Sequence, residues 1–433
     1  MGRVTATDTH RAINAVFRIE SPRLIAGLAR IVRGDVGRAE ELAQDALVAA
    51  LEHWPSEGIP DNPGAWLMAT AKRRAIDEFR RTKLQARKHE EIGHDLENER
   101  EHKGPDLDEA LDDDVGDDLL RLIFTSCHPV LSAEARVALT LRLLGGLTTE
   151  EISRAFLVPE PTVAQRIVRA KRTLSDAKVP FEVPRGPELA ARLASVLEVI
   201  YLVFNEGYAA TAGDNWMRPD LCEDALRLGR ILAELATQEP EVQGLVALME
   251  IQASRAKARV GPGGEPILLL EQNRARWDQL LIRRGLTALA RAEALTAARG
   301  RGPYLLQAAI AACHGRARTA DETDWTRIAA LYAELAAVTP SPIVELNRAV
   351  ALAMAEGPAA GLALVDTLTA DPLLKSYHLL PGVRGDLLSK LGRWDEARVE
   401  LERAAALARN ARERALLLER AATCARNAGT KPA

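Results

Sequence analysis

The stretch RVALTLRLLGGLTTEEISRAFLVPEPTVAQRIVRAKRTL, residues 136–174, decides the fold. Gly145 and Gly146 end an apolar helix. Thr148 or Thr149 is placed to cap the next helix, and Glu150 and Glu151 follow in its first turn, where the positive helix end favours acids. Ile152 and Phe156 face inward, and residues 157–160 make a tight turn. In the helix after it, Val163, Ile167, Ala170 and Leu174 fall on one stripe. Thr162, Gln165, Arg166, Arg169 and Arg172 cluster around the opposite face, and no acid lies between Thr162 and Arg172. A short helix packed through a turn against a second helix of this kind is the geometry that enters a major groove. Arginine pairs with guanine and glutamine with adenine, while Lys171 and Arg172 are placed to hold phosphates. A plain amphipathic hairpin with a solvated basic side is the alternative; the turn, the caps and the one-signed face argue against it.

Upstream, residues 90–118 carry fourteen Asp/Glu against Arg100 and Lys103 and have no sustained apolar face, so 82–118 reads as a charged linker. Before the acidic run the charge inverts: residues 72–88 hold eight Lys/Arg and two acids, most of them on a predicted helix, AWLMATAKRRAIDEFRR. Leu67, Ala71, Ala75, Ile76 and Phe79 take one side of that helix; Trp66, Thr70, Arg73, Asp77, Arg80 and Arg81 take the other. Arginines interleaved with an aromatic suit DNA during strand opening, because the ring stacks on an unpaired base. The preceding segment, GDVGRAEELAQDALVAALEHW, has an apolar stripe interrupted by a polar patch of Asp35, Glu40, Glu41, Gln44 and Asp45.

Composition bounds the rest. The 433 residues exceed one ordinary core, and 47% hydrophobic with 4% aromatic residues, rich in Ala, Leu, Arg and Glu, predict an all-α chain of several domains. There is no signal-like apolar segment and no run of 18 apolar residues, so a cytoplasmic protein without membrane contact is expected. Cys127, Cys222, Cys313 and Cys424 lie far apart with no CxxC spacing and predict neither disulfides nor a metal site. The expected domains are 9–81, the linker 82–118, 119–179 and, beyond PFEVPRGP, 188–433.

Together, GDVGRAEELAQDALVAALEHW, WLMATAKRRAIDEFRR and GGLTTEEISRAFLVPEPTVAQRIVRAKRTL resemble the two domains of extracytoplasmic-function sigma factors. The resemblance implies sigma domain two at 9–81 and sigma domain four, a helix-turn-helix, at 119–179. It places Asp35, Glu40, Glu41, Gln44 and Asp45 against the β′ clamp helices of bacterial core RNA polymerase, with the β subunit as a further partner. Arg73, Arg74, Asp77, Arg80 and Arg81, with Trp66, would lie at the −10 region of promoter DNA; Thr162, Gln165, Arg166, Arg169, Lys171 and Arg172 at the −35 region. One departure is the turn VPEPTV: Pro159 and Pro161 remove two backbone N–H donors where members more often carry Gly and Ser.

Residues 188–433 resemble the extension of a subgroup of these factors, through stretches such as VFNEGYAATAG and GPYLLQAAIAACHGRA. LGRWDEARVELERAAALARN, residues 391–410, pairs Gly and Ala with Leu at helical spacing as in a tetratricopeptide repeat, and Gly357 precedes Gly392 by one repeat length. Such hairpins stack into a solenoid that binds peptides or protein domains, so the extension is expected to contact either the sigma domains or an accessory protein. ARVGPGGEP lacks a following GK[ST], and scattered His314, His378, Cys222 and Asp214 form no catalytic set, so no enzyme and no cofactor are expected. Two rivals stand beside the sigma reading: a DNA-binding regulator acting without polymerase, and a helical-repeat scaffold.

Overall fold

A computed structural model describes residues 6–90, 115–156, 158–210, 216–296 and 300–429. Among them are eighteen α-helices and no strand, in two compact units, 1–199 and 200–433.

The first unit opens with α1 (Ala6–Ile31), α2 (Val36–Glu57) and α3 (Pro63–Glu90). Their apolar stripes meet in a core of Leu24, Leu28, Leu42, Ala46, Leu67, Ala71 and Trp54. The turn from α1 to α2 needs two left-handed residues, Arg33 and Gly34, at φ 56° and 88°. Asp35 then caps α2, its Oδ1 accepting the Arg38 N–H at 2.9 Å. The basic helix α3 does not stop at Arg81 as the charge pattern suggests but runs to Glu90. The reason is local: Leu84, Gln85, Ala86 and Arg87 are good helix formers, and no Gly or Pro interrupts them. The rest of the expected linker up to Asp114 lies outside the described residues.

A second module follows: α4 (Val115–Ser126), α5 (Ala133–Leu143), α6 (Thr149–Phe156) and α7 (Glu160–Asp176). The first helix of this module starts at Val115, four residues before the expected Leu119, with Asp117 and Asp118 in its first turn. The next helix, α8 (Pro187–Tyr208), departs further from expectation, because the first unit ends within it, at Val199, and not before residue 188. Its first half clamps the second module. Ser195 Oγ donates to the Cys127 carbonyl at 2.6 Å, Arg192 Nη2 to the Phe124 carbonyl at 3.0 Å, and Glu198 takes Arg136 at 3.0 Å.

The second unit continues with α9 (Pro219–Leu235), α10 (Pro240–Ala253), α11 (Gln279–Leu295), α12 (Pro303–Arg316), α13 (Trp325–Val338), α14 (Pro342–Glu356), α15 (Pro358–Leu368), α16 (Leu379–Lys390), α17 (Trp394–Leu407) and α18 (Ala411–Gly429). These are helical hairpins. Gly357 and Gly392, at φ 106° and 72°, turn α14 into α15 and α16 into α17, so the two glycines singled out by spacing serve equivalent corners. The four cysteines are free and buried, and burial raises the thiols of Cys127 to about 11 and Cys222 to about 12.

Helix α10 is buried nearly all round, and Gly244 sets how closely α12 approaches it. A Cβ there would stand 2.8 Å from the Leu305 nitrogen and 2.9 Å from its Cα. Overpacking against backbone costs up to about 3 kcal/mol, more than the roughly 1 kcal/mol that alanine gains in helix propensity. Gly244→Ala is therefore expected to destabilise by about 2 kcal/mol in urea unfolding. Gly382→Ala, whose nearest neighbours are 3.8 Å away, is expected to be neutral or stabilising.

Candidate nucleic-acid interface

The second module is built around a capping box. The Thr148 N–H donates to Glu151 Oε2 at 2.7 Å and the Glu151 N–H to Thr148 Oγ1 at 3.1 Å, which makes Thr148 and not Thr149 the cap. Ile152 is buried and Phe156 half-buried, and Ser153 Oγ closes the turn by donating to the Val158 carbonyl at 2.7 Å. Pro159 stands at the N-cap of α7 without a side-chain cap, while its carbonyl accepts the Thr162 N–H at 2.9 Å. Val163, Ile167, Ala170 and Leu174 are buried. This anchors α7 so that Thr162, Gln165, Arg169 and Arg172 are exposed in a row, with Arg166 half-buried beside them. Arg172 has a surface partner in Asp176 at 3.4 Å, an exposed pair that costs little to exchange.

Lys171 does not share that face. It turns to the first module and pairs with Glu40 of α2. Glu40 is only 5% exposed and also accepts Arg142 Nε of α5 at 2.6 Å and Gln44 Nε2 at 2.8 Å. A residue expected on the polymerase and one expected on DNA are thus joined to each other. The remaining acids of the α2 patch stay near water: Asp35 and Glu41 are exposed, and Asp45 is half-buried. Arg38 bridges Glu41, at 2.6 Å, and Glu78 of α3; those bonds outweigh its partial burial and raise its pKa.

On α3, Arg73, Asp77 and Arg80 are exposed, whereas Arg74 is half-buried and paired with Asp45 at 3.4 Å. Trp66 sits in the first turn, half-buried, edge-on to Trp54 at 5.2 Å. The side chains of Arg81 and Phe79 lie outside the described residues. Two further links hold the modules together. Arg30 of α1 and Arg121 of α4 meet Asp118 at 3.2 and 2.7 Å, and Arg18 approaches Glu151 at 3.5 Å. Burial wins at Asp118, raising its carboxyl above the usual range despite both arginines.

Arg142 is the residue that reading the sequence missed. The signal was present: a single cation in the apolar run LTLRLL requires a buried partner. What no pattern supplied is that the partner lies 102 residues away.

Three family models match the chain: sigma-70 region 2 at residues 19–85, sigma-70 region 4 at 121–174, and a family of unknown function at 192–293. An uncharacterized protein of Rhizobium meliloti (strain 1021) is 43% identical over 397 residues, 92% of each chain. The ECF RNA polymerase sigma factor SigL of Mycobacterium tuberculosis is 31% identical over 178 residues, 40% of this chain and 94% of its own. SigK of Mycobacterium bovis (strain BCG / Pasteur 1173P2) is 30% identical over 176 residues, 40% and 88%. No solved structure matches significantly. The chain belongs to the extracytoplasmic-function sigma-70 factors, as a member with a helical C-terminal extension. Among the described residues no helix is long and apolar enough to cross a membrane.

Proposed function

We infer that this sigma factor binds core RNA polymerase through the α2 patch, reads the −35 element with α7 and the −10 element with the exposed side of α3, and so sets where transcription starts. The observation that carries the reading is the row Thr162, Gln165, Arg169 and Arg172, held outward by a buried stripe on a capped helix-turn-helix. Polymerase and −35 DNA engage the two modules separately, so the Glu40 link to Arg142 and Lys171 must open first. Glu40 then exchanges protein cations for basic groups of the clamp helices, and Lys171 exchanges it for phosphate. The extension regulates that step. A truncation that tests it should end after Val199, because ending at Val179 also removes Arg192 and Ser195 from the second module.

The test is transcription by purified chain with core polymerase on a library of random-sequence promoter fragments. Start sites downstream of one shared two-part motif are expected. Arg169→Ala should lose about 1–3 kcal/mol of discrimination at one −35 base pair, while Arg172→Ala should weaken all promoters alike. Starts that require no upstream motif, or no starts from either the full chain or the 1–199 fragment, would defeat the reading.

A further inference from the structure

The groove between α9, α10 and α11 lies wholly within the region matched to a family of unknown function. It is open to solvent on one side and offers about 770 Å³, within the range of small-molecule sites. Arg230, Arg283, Arg284 and Arg291 line it against Glu234 and Glu250, leaving two positive charges in excess. At its base Glu250 is 1% exposed. Arg230 Nε at 2.8 Å and Arg284 Nε at 3.3 Å both converge on its Oε1. Its Oε2 is buried and, among the described residues, receives no hydrogen bond. Buried carboxylate oxygens are rarely left so, and the two nearest guanidiniums are already committed to the other oxygen. Arg283 and Arg291 stand two turns apart on α11, with Thr287 between them, and make no ion pair among the described residues.

We propose that this groove binds a small phosphate monoester carrying free hydroxyls. The dianion matches the excess of two charges, and the forks of Arg283 and Arg291 suit its oxygens. A ligand hydroxyl donates to Glu250 Oε2, supplying the missing partner. Ala233, Val246 and Ala288 supply the apolar wall for the carbon skeleton. The site stands apart from the promoter reading, since its readout is binding and not transcription.

The experiment is calorimetric titration of the full chain with ribose 5-phosphate, glycerol 3-phosphate, inorganic phosphate, citrate and a hexaglutamate peptide. The sugar or glycerol ester should saturate one site and bind about tenfold tighter than inorganic phosphate. Arg283→Ala with Arg291→Ala, both exposed positions, should cut that affinity at least 30-fold while circular dichroism stays unchanged. Glu250→Gln should bring the ester down to the level of inorganic phosphate. The proposal is overturned by no saturable binding of any phosphate probe, by binding indifferent to the arginine pair, or by preference for citrate or the peptide.

Discussion

Glu40→Ala is expected to loosen the helix-turn-helix module from the first helical module while leaving each folded. The carboxylate is buried between Arg142, at 2.6 Å, and Lys171, with Gln44 as a third donor. Removing one side of a fully buried ion pair costs about 3–5 kcal/mol. Here the stranded partners, Arg142 and Lys171, keep about a quarter of their side chains in water, so a discounted figure of about 2–3 kcal/mol is expected. That corresponds to a 30- to 150-fold drop in hydrogen-exchange protection along the C-terminal turns of α5 and α7, with α2 and α3 little changed. A cycle of Glu40→Ala, Arg142→Ala and the double variant should be strongly non-additive; full additivity would mean that the pair does not hold the modules. Arg142→Met with Lys171→Met makes the functional counterpart. It strands Glu40, whose route back to water is for the modules to part, and it leaves the α2 patch intact. Tighter capture of core polymerase is then expected, and unchanged or weaker capture would remove the closed arrangement from the mechanism.

That closed link shows where reading the sequence ends. The stripe Val163, Ile167, Ala170, Leu174 and the opposite row of Thr162, Gln165 and Arg169 follow from helical period alone, and the structure buries the first and exposes the second. Lys171 sits beside that row on the wheel, and nothing local distinguishes it from a phosphate contact. Only the fold of residues 136–174 against α2 brings it to Glu40. The same holds for α8. Its composition is helical, but that Arg192 and Ser195 serve the second module depends on carbonyls of Phe124 and Cys127 that α4 leaves open at its C-terminal end. The repeat corners at Gly357 and Gly392 were legible because spacing and positive φ are local properties. The contact of Gly244 with Leu305, which decides how α10 and α12 cross, was not.

A second large effect is expected from acid. His314, in α12, is 8% exposed, edge-on to Trp325 at 5.2 Å, with its Nδ1 buried and without a hydrogen-bond partner among the described residues. Burial first, then the positive charges of Arg255 and Arg274, push its pKa down from 6.5 to about 4. The unfolded chain therefore takes up this proton between pH 6.5 and 4, where the folded chain does not. The neutral imidazole contributes its full stability above about pH 6.5, and that contribution falls by about 1.4 kcal/mol per pH unit below it, levelling off under pH 4. Between pH 7.5 and 4.5 the loss is about 2–3 kcal/mol. Carboxylates titrate in the same range, so the test is a difference. Urea unfolding of the wild-type chain and of His314→Phe, followed by tryptophan fluorescence at both pH values, isolates this one group. His314→Phe keeps a ring against Trp325 and removes the titration, so its stability should fall by about 2–3 kcal/mol less than that of the wild type over the same interval. Equal falls would show that His314 accepts its proton in the folded chain, and that Arg255 and Arg274 do not hold it neutral.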